Sequence, residues 1–296
     1  MDIGPYGIWT FQLDRMPSTQ ATELVSEIEE LGFGAVWIPE AAGREAFTNA
    51  ALLLRGGTDI VVATGIASIW ARDAMGAGAA QRTLTEAYPD RFLLGLGVSH
   101  RPMVEGVRGH DYTKPYSAMA AYLDGMDATF FMAPEPEVPL HRVLAALGPK
   151  MLELARDRSD GAFPYFVPPE HTVVARSALG EGPLLAVEQA VVFETDPTVA
   201  REIARAHTGT YTALPNYVNN LRRLDPTLTE ADFADRGSDR LVDMIVAWGT
   251  DDQVAARIQA HRDAGADHVC VQVLQKGKDH PEVRWRHLAD VLELSS

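Results

Sequence analysis

Strand-like and helix-like stretches alternate along the whole of this chain, and that alternation constrains the fold more than any single residue does. Ile60, Val61, Val62, Ala63 and Thr64 are apolar or β-branched without a break. That is the pattern of a parallel strand covered on both faces. Upstream, Ala21, Leu24, Val25, Ile28 and Leu31 recur with helical spacing and stop at Gly32, a C-terminal cap. The same reading places strands at residues 3–11, 35–38, 60–64, 92–96, 143–147, 161–163, 184–193 and 268–273. Ser18 or Thr19 is expected to cap the first helix and Asp73 the third. Gly148-Pro149 and Asp196-Pro197 open later ones, and Thr250 with Gln253 forms a capping box.

About eight strand–helix units with no linker between them predict a single α/β domain over residues 1–296, a TIM (β/α)8 barrel. A doubly wound open sheet is the alternative, weakened because no G-x-G-x-x-G follows the first strand. Residues 210–243, rich in Asn, Arg, Asp and Pro, interrupt the alternation. They are expected to form an insertion at the seventh unit, over the active face or against a second subunit.

Composition excludes several functions. The chain has 296 residues, 41 acidic and 26 basic, for a net charge of −15. A general nucleic-acid or membrane-surface binder needs a positive face, so neither partner is expected. No apolar run approaches the ~20 residues that span a bilayer. The one cysteine, Cys270, lies in an apolar run and reads as a core residue. With no internal disulfide and no secretory signal at the N-terminus, a cytoplasmic protein is expected.

In a barrel of this kind the residues just after each strand converge on one mouth. Here these are Trp9 to Gln12, Glu40, Thr64-Gly65-Ile66 with Trp70, Val98-Ser99-His100, Leu147-Gly148-Pro149-Lys150, Tyr165-Phe166, and the segment from Gln275 to Lys278. The set is aromatic and poor in acids. It holds no H-E-x-x-H, no paired carboxylates and no G-x-S-x-G elbow, so a metal site and a serine nucleophile are not expected. Trp, Tyr and Phe around one His suit a flat conjugated ligand. The backbone at Gly148 to Lys150 opens a helix and can take a phosphate, while Lys276 and Lys278 can steer an anionic tail. His100 follows the glycine-rich strand end Gly95-Leu96-Gly97 and is the first candidate for proton transfer.

The stretches Glu29-Glu30-Leu31-Gly32-Phe33-Gly34-Ala35-Val36-Trp37-Ile38-Pro39-Glu40, Val62-Ala63-Thr64-Gly65-Ile66 and Arg91-Phe92-Leu93-Leu94-Gly95-Leu96-Gly97-Val98-Ser99-His100 are joined by two more. These are Ala145-Ala146-Leu147-Gly148-Pro149-Lys150-Met151 and Asp160-Gly161-Ala162. In their order and spacing they resemble the luciferase-like flavin and deazaflavin oxidoreductases, within the branch that uses coenzyme F420. The resemblance implies a barrel with an insertion and a homodimer. It also implies hydride transfer between the deazaflavin and a small-molecule organic substrate.

Carried over position by position, it puts a non-proline cis peptide in Thr64-Gly65-Ile66, behind the ring. Ring and side-chain contacts fall at Val98, Ser99 and His100, and phosphate contacts at Ala146, Leu147, Gly148, Pro149 and Lys150. Glu40 and His100 are the catalytic candidates, Glu40 and Tyr165 also touch the cofactor, and Trp9, Trp70 and Phe166 line the substrate pocket. Lys150, Lys276 and Lys278 are candidates for the exit groove of the cofactor's acidic tail. Related dehydrogenases carry a histidine after the acid at the second strand, where this chain has Ala41. Proton handling then falls to His100 or Glu40. The alternatives are an FMN-dependent monooxygenase using oxygen and a non-catalytic flavin- or deazaflavin-binding protein.

Overall fold

In the computed structural model, which describes residues 1–276 and 281–294, eight parallel strands close into a barrel. They are β1 (Tyr6–Trp9), β2 (Ala35–Ile38), β3 (Val61–Thr64), β4 (Phe92–Gly97), β5 (His141–Leu144), β6 (Gly161–Ala162), β7 (Leu184–Val192) and β8 (His268–Val273). Each pairs with the next, and β8 pairs with both β7 and β1, which completes the ring. Two-residue strands at Ala67–Ser68 and Ala247–Trp248 extend the ladder beside the ends of β4 and β7.

The side-chain alternation of a strand explains both apolar layers. Val61 and Ala63 turn inward with Trp37, Leu93, Val143, Ala186 and Cys270. Val62 turns outward with Val36, Leu94, Val187, Val269 and Val271, onto the helices. Both faces of the sheet are therefore buried, as the unbroken apolar strands require.

The helices surround the barrel: α1 (Ser18–Glu30), α2 (Ala46–Leu53), α3 (Ala74–Ala87), α4 (Pro115–Asp127), α5 (Pro149–Arg158), α6 (Pro169–Leu179) and α7 (Pro197–Tyr211). Then come α8 (Pro215–Leu224), α9 (Glu230–Phe233), α10 (Asp239–Ile245), α11 (Asp251–Asp263) and α12 (Pro281–Val291). Asp73 caps α3 through the Gly76 N–H at 2.6 Å, Asp196 caps α7, and Thr250 and Gln253 form their capping box. The first helix differs from expectation. It already includes Ser18, and Pro17 holds the cap position without a side-chain bond.

Two strands differ by more than one residue from the apolar runs that predict them. β1 is Tyr6–Trp9 rather than residues 3–11, because Gly4 takes a positive φ of 62° before it and Phe11 enters a 3-10 turn after it. β5 is His141–Leu144 rather than residues 143–147, which leaves Ala145, Ala146 and Leu147 as a loop over the mouth. None of the described helices is long and apolar enough to cross a membrane.

Candidate functional site

The strand ends enclose a cavity of about 740 Å³ at the barrel mouth. One wall is Gly65, Ile66 and Gly97, and the peptide bond Gly65–Ile66 is cis. The absence of side chains is what lets these segments meet. A Cβ on Gly97 would stand 2.5 Å from the Ile66 side chain, and one on Gly65 2.8 Å from the Trp9 indole nitrogen. That nitrogen donates to the Gly65 carbonyl at 3.0 Å, which pins the wall to β1. Gly95 serves a different purpose. A Cβ there would lie 2.0 Å from the Thr64 carbonyl oxygen, so this glycine admits β3 rather than a ligand.

Beneath the cavity the barrel interior is aromatic. Trp37 and Phe163 stack at 4.4 Å and 9°. Tyr165 meets Tyr211 at 5.3 Å between ring centroids, and Tyr211 meets Tyr217 at 5.2 Å. The Tyr165 hydroxyl donates to Gln272 Oε1 at 2.9 Å and lies 2.9 Å from the Tyr211 hydroxyl. Buried phenols need partners, and with the Tyr165 proton given to Gln272 the Tyr211 hydroxyl donates to Tyr165.

His100 stands at the end of β4. Ser99 takes a left-handed φ of 54°, which turns the chain out of the strand. Its carbonyl accepts from the Tyr112 hydroxyl at 3.3 Å. A six-residue π-helical turn, Pro102–Val107, follows and brings Met103 to the cavity. The His100 ring lies 5.4 Å from the Tyr217 ring. Burial holds its pKa below the ordinary histidine value, and the Asn216 side chain opposes that shift. Nδ1 is buried and has no hydrogen-bond partner among the described residues. A neutral imidazole on a cavity wall can accept or deliver a proton.

Glu40 also lines the cavity, but its carboxylate is engaged. Oε1 is paired with the Arg72 guanidinium, Oε2 accepts from Ser68 N–H at 2.7 Å, and Ala46 N–H adds a longer bond of 3.3 Å. Its side chain is 3% exposed. Such a group ties β2 to the segment after β3, and it is poorly placed to exchange protons with a ligand.

The far edge of the cavity carries positive potential. Gly148, Pro149 and Lys150 line it, so the positive end of α5 borders the cavity, and Gly148 caps that helix without a side chain. A Cβ on Gly148 would lie 3.6 Å from Arg223 Nη1, which places the α8 guanidinium beside the same helix end. Arg223 makes a hydrogen bond of 3.3 Å to Asn220 Oδ1. His171 holds the loop below by bonding the Leu147 carbonyl at 2.9 Å.

The structure thus brings Trp9, Glu40, Gly65, Ile66, Val98, Ser99, His100, Ala146, Leu147, Gly148, Pro149, Lys150 and Tyr165 to one cavity. Thr64, Trp70 and Phe166 are not on its wall. The Thr64 hydroxyl bridges the Gly95 carbonyl at 2.8 Å and the Gly95 N–H at 2.9 Å, so it latches β3 to β4. The Trp70 indole turns aside to donate to the Val98 carbonyl at 2.9 Å. Phe166 is 1% exposed and packs against Tyr211 and Tyr217. Both are therefore removed from the substrate pocket as framework residues. Lys276 is exposed and off the cavity wall, and Lys278 lies outside the described residues.

The sequence reading missed Tyr112, Tyr211, Asn216, Tyr217 and Arg223, all of which line the cavity, while Phe11 falls in the Trp9 to Gln12 stretch it placed at the mouth. Four of them lie between Thr210 and Arg223, outside any strand end. Their signals were the break in the alternation over residues 210–243 and Pro215, which starts α8, and neither singles out a residue. Among the described residues no cluster of His, Cys, Asp or Glu could hold a metal ion, and Cys270 is buried with its thiol 3.4 Å from the Val187 carbonyl.

Known proteins share this architecture. A structure described as an F420-dependent secondary alcohol dehydrogenase with an F420–acetone adduct superposes with a TM-score of 0.77 at 14% identity, over 100% of both chains. The F420-dependent tetrahydromethanopterin reductase of Methanopyrus kandleri gives a TM-score of 0.71 at 17% identity, over 99% of this chain and 97% of that one. The FMN complex of the oxygenating constituent of 3,6-diketocamphane monooxygenase from Pseudomonas putida gives 0.67 at 15%, over 98% and 97%.

In sequence, a Mycobacterium tuberculosis (strain ATCC 25618 / H37Rv) protein provisionally named a coenzyme F420-dependent oxidoreductase is 27% identical over 208 residues, 60% of this chain. The match spans 58% of that relative's length. The sequence model of the luciferase-like monooxygenases matches residues 6–268, from the first residue of β1 to the first of β8, and so the chain belongs to the luciferase-like monooxygenase family.

Proposed function

We propose that the protein is an F420-dependent oxidoreductase that moves a hydride between the deazaflavin and an organic substrate at the barrel mouth. The observation that carries this reading is the cavity itself: a deep apolar and aromatic slot with an anion cradle at one edge and a single neutral imidazole on its wall. The residues fit such a cofactor. The Arg223 guanidinium stands 3.6 Å from the position a Cβ on Gly148 would take, beside the start of α5. The helix end and the guanidinium together suit a phosphate. The M. tuberculosis relative's name favours the deazaflavin over FMN.

The bound cofactor would supply the hydride chemistry, and the protein supplies placement and proton management. Ile66, Val98 and Ser99 would shape the seat of the ring. The α5 N-terminus, Lys150 and Arg223 would hold the phosphate. His100 is the proton-handling group, since its imidazole lines the cavity while the Glu40 carboxylate is tied to Arg72. Trp9 and Tyr165 would exclude water from below.

Titration of the purified protein with F420 and with FMN tests the assignment. F420 is expected to bind about tenfold or more tightly than FMN, a difference of ~1.4 kcal/mol. Preferential binding of FMN, with oxygen-dependent turnover, would replace the proposal by a flavin monooxygenase.

A further inference from the structure

The cavity shares Trp9, Phe11, Thr210 and Tyr211 with a second chamber of about 450 Å³. This chamber lies over the ends of β1 and β8 and against α7. In the closed ladder β1 is four strands from β5 in either direction, so the chamber sits across the mouth from the start of α5.

Away from the shared aromatic wall its lining becomes polar and cationic. Gln12 and Gln272 bring amides, and Arg15 brings a guanidinium. No aspartate or glutamate stands among the described residues that line it. Arg15 lies 5.6 Å from the Phe11 ring centroid, and none of the described carboxylates pairs with it.

A second observation points to a polar ligand. His207 lines the chamber, and its buried Nε2 has no hydrogen-bond partner among the described residues. Burial pushes its pKa down to about 3, so the ring is neutral at physiological pH. A buried polar atom left without a partner is satisfied by an ordered water or by a ligand atom. Gln272 spends its Oε1 on the Tyr165 hydroxyl, which leaves the amide N–H groups to donate.

We propose that this second chamber seats an organic carboxylate as substrate, with the carboxylate at Arg15 and the carbon skeleton along Trp9 and Phe11 toward Tyr211 and the first cavity. The inference rests on the oxidoreductase reading above and names its substrate class. The carboxylate belongs to the substrate rather than to the cofactor's acidic tail. That tail continues from the phosphate, whose cradle at α5 lies on the opposite side of the barrel.

The test uses two near-isosteric probes, 2-naphthoate and the neutral 2-naphthamide, titrated calorimetrically into the whole protein with and without saturating F420. Naphthoate is expected to bind about tenfold or more tightly than naphthamide, with F420 present or absent. Arg15→Gln should abolish that preference, Arg15→Lys should keep part of it, and both variants should bind F420 as the parent does. Equal affinity for the two probes would overturn the proposal, as would displacement of naphthoate by F420. So would an Arg15→Gln variant that loses F420 affinity as much as naphthoate affinity, because the chamber would then hold the cofactor's tail. A parent protein that discriminates the probes yet fails to bind F420 would support the carboxylate subsite and sink the cofactor assignment alone.

Discussion

Glu188 lies on β7 inside the barrel, paired in register with Cys270 and 1% exposed. Its Oε2 accepts from the Phe166 N–H at 3.3 Å, while Oε1 has no partner among the described residues. Burial raises its pKa to about 8, so it is held as the neutral acid at pH 7. An unfolded chain would release that proton near pH 4.5. Folding therefore loses stability as pH rises from about 4.5 to 8, and the loss is a few kcal/mol by linkage. Glu188→Gln removes the titration and keeps an acceptor for Phe166. Thermal unfolding should show the variant more stable than the parent at pH 8 and little changed at pH 4.5. Equal midpoints at pH 8 would show that Glu188 is ionised and stabilised by contacts not described above.

His100 makes a separate prediction at the same scale. With any substrate the parent turns over, His100→Ala should lower kcat by ~10²-fold or more while the dissociation constant for F420 changes little. A variant with unaltered kcat would move proton handling elsewhere.

Among the elements, the start of α5 matters most to the proposal. Its electrostatic pull comes from the helix dipole and from Arg223 on α8. Arg223→Gln should weaken F420 binding by about tenfold, the scale of one charge-assisted hydrogen bond of ~1.5 kcal/mol. Binding of the ring compound that lacks the phosphate and tail should stay the same. Equal weakening of both would place Arg223 against the ring instead.

This element was partly legible in the sequence. Gly148-Pro149 is a helix start on local grounds alone. Ending β5 at Leu144, which frees Ala145 to Leu147 as a loop, depends on the ladder with β4 and β6. Arg223 was illegible, because it comes from a helix some 75 residues further along the chain, and only packing sets it beside Gly148. Thr64 and Trp70 failed as site residues for a similar reason. Each side chain found a backbone partner on β4 or just beyond it, which position along a strand does not reveal.

For the whole molecule, three buried imidazoles set the acid limit. His268 accepts from the Trp37 indole at Nε2, 3.0 Å, and donates from Nδ1 to the Gly4 carbonyl at 2.8 Å. His261 bridges Gln189 and Thr172 at 2.9 and 2.7 Å. Burial pushes His207 and His261 down to about 3 and His268 to about 4. Unfolded histidines protonate near 6.5, so this contribution is complete above pH 6.5 and is lost as pH falls toward 4. Between pH 6.5 and 5 each site costs about 2 kcal/mol. The unfolding midpoint should fall steeply over that interval, and His268→Gln should flatten the slope. A midpoint constant from pH 7 to pH 5 would contradict the neutral assignment of all three.

The sequence alone determined the alternation of strand and helix, the barrel class, and most of the strand-end residues that reach the mouth. These follow from short-range periodicity and caps, which are written in neighbouring residues. The tertiary structure decided which of those side chains face the cavity and which brace it, and it brought Arg223, Tyr211 and Tyr217 into the site. Those outcomes depend on contacts between segments far apart in the chain. Closure of the barrel settles them, because each inward side chain must find its space and its hydrogen-bond partner among all eight strands at once.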